Sequence, residues 1–186
     1  MPRSDERFPF LCAIVLACSP DEPAGIPAIF DESRAEHFFD LPFPSQTSRQ
    51  ENGRPDLSGF PVAGLSLTEP LIEGWRTRVE LATNGFASSG STYFRFEGPL
   101  ELPIQTEGSP QDPVLLIDLD TYDLYPLSLR FYDEPHGDPY LASNLLAVSP
   151  QLTNMPPPGR TLSVVVMDTA GASPPTNGAF EIDETL

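Results

Sequence analysis

The sequence contains no lysine: its ten basic residues are all arginine, set against 27 Asp and Glu, for a net charge of -17. Phosphate backbones are held by clustered basic side chains, so a chain this acidic is excluded as a nucleic-acid binder. Histidine occurs only at His37 and His136, and cysteine only at Cys12 and Cys18. That shortage excludes a zinc site built from Cys and His, and beyond residue 18 it leaves neither a disulfide nor a thiol nucleophile. A serine–histidine–acid triad has little to draw on. Gly64-Leu65-Ser66-Leu67-Thr68 and Gly171-Ala172-Ser173-Pro174-Pro175 lack the closing glycine of a nucleophile elbow, and Ser88 and Ser89 have the wrong spacing between Gly85 and Gly90. The chain therefore reads as a non-enzyme.

What is present first is an apolar run, Phe8 to Ala17, of signal-peptide length and too short for a membrane span, followed at once by Ser19-Pro20-Asp21-Glu22-Pro23. Residues 1–17 fit a processed export signal, although Asp5 and Glu6 cancel Arg3 and Arg7. The alternative is a buried strand or short helix, which the acidic, Pro-rich continuation would have to break. Val15-Leu16-Ala17-Cys18 resembles the lipobox of bacterial lipoproteins, and the resemblance implies lipidation at Cys18, a membrane partner through that lipid, and an exported, cell-envelope location. The leucine before Ala17 departs from the commonest lipobox pattern.

With 186 residues, 23 of them Pro and 13 Gly, the rest is expected to be one loop-rich domain with loose ends. Residues 18–38, acidic and Pro-rich, read as a tether, and 169–186 as a flexible C-terminal segment. One helix is expected over Pro70–Thr83, capped by Thr68 and stopped by Asn84-Gly85, with Leu71, Trp75, Val79 and Ala82 as its apolar stripe and Trp75 as a core anchor. From Gly90 the period changes to two. Thr92 to Glu97 places Phe94 and Phe96 on one face and Arg95 on a wet one. Strands are also expected over 114–118, 127–131, 144–148 and 161–167, with Asp120-Thr121-Tyr122-Asp123 turning a hairpin. Short strands punctuated by Pro and Gly, with no helix between each pair, predict a mainly β fold, an antiparallel β-sandwich with one short helix, over 39–168.

Carboxylates leave calcium as the one cofactor to consider, with Asp118 and Asp120 at a strand end and Asp133 and Asp138 in a loop as the candidates. None of these runs has the spacing of an EF-hand loop, and in so acidic a chain they also read as solvated turns. Tyr93, Tyr122, Tyr125, Tyr132 and Tyr140 are candidates for a ligand face, with a protein or a glycan as the partner, or for packing.

Several motifs follow one another in order: Leu41-Pro42-Phe43-Pro44-Ser45, Asp56-Leu57-Ser58-Gly59-Phe60-Pro61, Asn84-Gly85-Phe86, Tyr93 to Leu100, Val114 to Asp118, Asp138-Pro139-Tyr140 with Asn144 to Pro150, and Pro158 to Val166. That order is similar to the N-terminal, Ig-like β-rich region of large exported bacterial proteins, among them extracellular lipases of the virulence-factor lipase group. The resemblance spans about Phe39 to Asp168 and implies an Ig-like sandwich. In that lipase group catalysis belongs to a following α/β-hydrolase domain, so no catalytic residue carries over. Two functions are open: a surface or periplasmic lipoprotein whose sandwich is a spacer or binding module, or the auxiliary N-terminal domain of a lipase or esterase whose catalytic domain this chain lacks.

Overall fold

A computed structural model describes residues 25–34, 36–61, 69–138 and 140–175. The expected export signal, Cys18 and the capping Thr68 lie outside the described residues. Among the described residues the fold is mainly β with one α-helix: β1 (Ile26–Pro27), α1 (Glu69–Ala82), β2 (Thr92–Arg95), β3 (Val114–Asp118), β4 (Leu124–Tyr125), β5 (Leu127–Tyr132), β6 (Leu145–Pro150), β7 (Leu162–Val166) and β8 (Ala172–Ser173).

Two antiparallel three-stranded sheets carry the core, ordered β2-β6-β5 and β4-β3-β7. Their registers stack apolar residues in rows, Phe94 beside Leu146 and Phe131 in the first sheet and Leu116 beside Val164 in the second. Side chains alternate across a strand, so Phe94 and Phe96 turn inward together, as their period-two spacing predicts. Inward-facing residues from both sheets form one cluster, Phe94, Phe96, Leu127, Leu146 and Val148 meeting Val114, Leu116, Leu162, Val164 and Val166. In β3 the continuous Val-Leu-Leu-Ile run still alternates, Val114 and Leu116 buried and Leu115 and Ile117 half-buried. The β3–β4 turn closes through Tyr122 N–H to Asp118 O at 2.7 Å and Asp118 N–H to Asp123 O at 3.0 Å, with Tyr122 in the left-handed region at φ 62°.

Within the stretch that composition reads as a tether, residues 26–28 and Phe38 pack on the rest of the fold. Strand β1 pairs in parallel with β8, Ile26 opposite Ala172, and just past it Ala28 bridges to Phe96, the residue after β2. Pro27 has no N–H to give a ladder, but in a two-residue strand its carbonyl suffices and accepts from Glu97 N–H at 2.9 Å. Gly25 is required by the close approach: a Cβ there would lie 2.8 Å from the Ala172 carbonyl oxygen. The same pairing holds the start of the expected loose C-terminal segment, because Ala170, Ala172 and Ser173 are buried. A second cluster, Phe38, Phe39, Ala142 and Leu145, lies on the outer side of the first sheet, joined by the rings of Phe43, Phe60, Tyr93 and Tyr132.

Helix α1 forms where its spacing predicts and ends at Ala82; beyond it Gly85, at φ 86°, turns the chain and its N–H bonds Gly53 O at 3.2 Å. Its facing differs from the expected one. Trp75 is 56% exposed and Leu71 73%, while Ile72, Glu73, Arg76, Val79 and Glu80 form the half-buried side. A polar contact holds this orientation: the Glu80 carboxylate accepts from Leu57 N–H at 3.0 Å. Within the helix Arg76 pairs with Glu73 at 2.8 Å.

Candidate functional site

The outer face of the β2-β6-β5 sheet is built by register. Strand pairing sets Arg95, Leu145 and Tyr132 in one row and Tyr93, Ala147 and Arg130 in the next, with Ser149 and Ser128 following. Ser91 joins the last row through a 2.7 Å contact between its hydroxyl and that of Ser149. The first row is roofed by the chain that precedes β2. Asp40, 3% exposed, accepts from Arg95 Nη1 and from His37 N–H (2.8 Å), and Arg95 Nε reaches Ser143 O at 3.4 Å. Arg95 therefore points outward as its spacing predicts, yet its face is not wet there. The Phe39 ring lies 5.1 Å from that of Tyr93 and packs beneath this roof.

The remaining rows stay open. Small residues at their centre, Ala147, Ser149 and Ser128, leave a shallow depression of about 320 Å³ walled by Tyr93, Tyr132, Arg130 and Ile104. The Arg130 guanidinium sits 4.7 Å from the Tyr132 ring centre, which fixes a cation over an aromatic face. Residues 104–106 border it: Leu129 N–H bonds Ile104 O at 2.7 Å and Thr106 N–H bonds Leu127 O at 2.9 Å, leaving the Ile104 side chain 80% exposed. Beyond Ile104 a second hollow of about 450 Å³ runs over Leu100, Leu102, Pro103 and Phe131. Hydroxyls, ring faces, one guanidinium and flanking apolar surface recognise neutral polar and aromatic groups. They supply no base and no activated nucleophile.

A cavity of about 490 Å³ lies at the other end of the roof, among Glu32, Ser33, Arg34, Phe38, Leu41, Thr47, Asp56 and Ser58. Its guanidinium is already engaged. Arg34 Nη2 donates to Ser48 Oγ at 2.8 Å and its carbon lies 4.6 Å from the Phe38 ring centre. Burial lowers the Arg34 pKa against the pull of Asp56; burial in turn raises the Asp56 carboxyl, outweighed by hydrogen bonds from Ser58 and by Arg34, so that it ends below its ordinary value.

The other residues that the sequence points to are dispersed. Asp118 is 1% exposed; its Oδ1 accepts from Asp120 N–H at 2.8 Å, and Arg160 Nε stands 3.5 Å from Oδ2 and Nη1 4.0 Å from the Asp120 carboxylate. The cation beside this pair is thus an arginine. Burial, then Asp118 and Asp123, raise the neighbouring Tyr125 hydroxyl, with Arg160 opposing. Asp133 and Asp138 lie after β5, where Asp133 O accepts from Asn144 N–H and the Asp138 carboxylate from Tyr140 N–H. Among the described residues no three Asp, Glu, His or Cys side chains group closely enough to hold a metal ion. His37 caps the turn Phe38–Asp40, its Nδ1 accepting from Phe39 N–H, and His136 sits in a turn at φ 47°. Ser88 and Ser89 lie in a turn, Ser173 is buried in β8, and Ser66 is outside the described residues. Of the five tyrosines only Tyr93 and Tyr132 share the open face. Ser91 belongs to no sequence motif, Ser149 falls in the Asn144–Pro150 run without being singled out there, and Ser128 and Arg130 are the outward positions of the 127–131 alternation.

Comparison with known proteins finds no matching family model, no matching curated protein and no matching solved structure.

Proposed function

We propose that the chain is an exported lipoprotein, anchored through Cys18, whose domain is an Ig-like antiparallel β-sandwich serving as a non-catalytic binding module. The sandwich is supported by the single cluster that both sheets share, and by a small void of about 10 Å³ lined from both sides by Thr92, Leu127 and Val148 and by Leu116, Leu162 and Val164. One observation carries the binding role: the open rows of the first sheet present a neutral polar floor between Tyr93, Tyr132 and Arg130, held by strand register and not by loops. Ring faces beside hydroxyls and a guanidinium suit a glycan or a protein loop rich in polar and aromatic groups. Export and anchoring rest on the apolar run that ends at Val15-Leu16-Ala17-Cys18.

In a bacterial host the full-length protein is expected to take up labelled palmitate and to sediment with membranes, and Cys18→Ala to lose both. Labelling unchanged in that variant refutes anchoring at Cys18. For the face, Arg130→Ala and Tyr132→Ala are expected to weaken capture on glycan and protein arrays without changing the circular dichroism spectrum. Capture untouched by either moves the binding role elsewhere.

A further inference from the structure

Helix α1 leaves its larger apolar side chains outside. Its half-buried side mixes Ile72 and Val79 with Glu73, Arg76 and Glu80, while the exposed arc carries Leu71, Trp75, Leu81 and Ala82, with Arg78 as its only charge. At 100° per residue these positions fall within one continuous arc, so the exposed apolar groups form a surface and are not scattered. In a chain of 27 acids and ten bases, this arc has no acid at all. Tryptophan and leucine on an exposed helix face, with arginine among them, are the chemistry of the boundary between lipid headgroups and acyl chains.

We infer that this face of α1 rests on the bilayer to which the domain is anchored, an inference that depends on the anchoring proposed above. Seven residues separate Cys18 from Ile26, which β1 fixes in the fold. At no more than about 3.6 Å per residue the leash reaches about 25 Å, so the domain is confined beside the membrane and weak contacts suffice to orient it. Charge argues against a second copy as the occupant, since two chains of -17 repel one another. The same charge argues against strongly anionic lipid, so the surface that fits is zwitterionic.

The protein carries its own probe, because Trp75 is its only tryptophan. The full-length lipidated protein in phosphatidylcholine vesicles is expected to emit at shorter wavelength than the Cys18→Ala protein in buffer, to resist acrylamide, and to be quenched by brominated acyl chains. Leu71→Glu, at a side chain already exposed, is expected to retain lipidation and sedimentation with vesicles while losing the shift and at least about tenfold of the bromine quenching. Emission from the anchored protein that stays open to acrylamide and unquenched by bromine overturns the inference while leaving the anchor intact. A shift that grows with protein concentration in the absence of vesicles also overturns it, in favour of a second copy. If Cys18 takes no lipid, the anchoring proposal falls separately, and the unlipidated protein titrated with brominated vesicles to millimolar lipid decides the face: no quenching there refutes it.

Discussion

Arg95 and Asp40 meet where the segment before β2 crosses the outer face of the sheet, their side chains 22% and 4% exposed. A buried carboxylate that loses its partner keeps its desolvation cost, so Arg95→Ala is expected to destabilise by about 3–5 kcal/mol in urea unfolding, against under about 1 kcal/mol for an alanine at the exposed Arg78. Period-two spacing identifies the side on which Arg95 lies but carries no information about a roof supplied from 55 positions earlier in the chain. His37 adds a pH dependence at the same place. Burial, and then the Arg95 guanidinium, hold its imidazole below the ordinary 6.5 despite Asp40. The unfolded chain then takes up a proton that the folded chain refuses. The stability tied to His37 is complete above pH 6.5 and declines as pH falls through that value towards the lower folded one. Urea midpoints measured from about pH 7.5 down to about pH 5 are expected to fall less steeply in His37→Gln than in the parent.

Among the elements, the run through β2 to Phe96 and helix α1 make opposite predictions from similar-looking sequence. Phe96, 2% exposed within the shared cluster, is expected to cost about 3–5 kcal/mol when replaced by alanine. Trp75→Ala is expected to cost under about 1 kcal/mol, and equal losses at the two positions, measured by thermal unfolding, would contradict the exposed orientation of α1. The strands were legible because alternation sets both their period and, with Phe94 and Phe96 on one side, their facing. For the helix only the period was legible. Leu71-Trp75-Val79 and Ile72-Arg76-Val79 both satisfy helical spacing, and the choice between them is made by Glu80 reaching Leu57 N–H, a contact across 23 positions. A two-residue strand such as β1 has no period to read, and the prolines around it, Pro20, Pro23 and Pro27, imitate a tether. The candidate face was legible residue by residue at Tyr93 and Tyr132, but not as a surface, because only the register brings Ser91, Ser128 and Ser149 together.

For the whole molecule, described residues ahead of position 39 pack with the sheets, β1 against β8 and Ala28 and Phe38 in the two clusters. Starting the chain at residue 39 removes β1, buried Ala28 and Phe38, and the bond from Asp31 N–H to Asp40 O. Relative to a chain of residues 19–186, one of 39–186 is expected to melt at least about 10 °C lower or to lose its cooperative transition in calorimetry. Strand β1 also has a mechanical consequence. It runs parallel to β8, so a pull on the chain before Gly25 and after Ser173 acts at opposite ends of the pair, along the strands. Ile26 N–H to Gly171 O at 2.8 Å and Ala28 N–H to Ser173 O at 3.0 Å then bear the load together, in shear. An antiparallel pair pulled from adjacent ends would instead unzip, its bonds breaking in succession, so tension along the chain meets its resistance first in this small clasp.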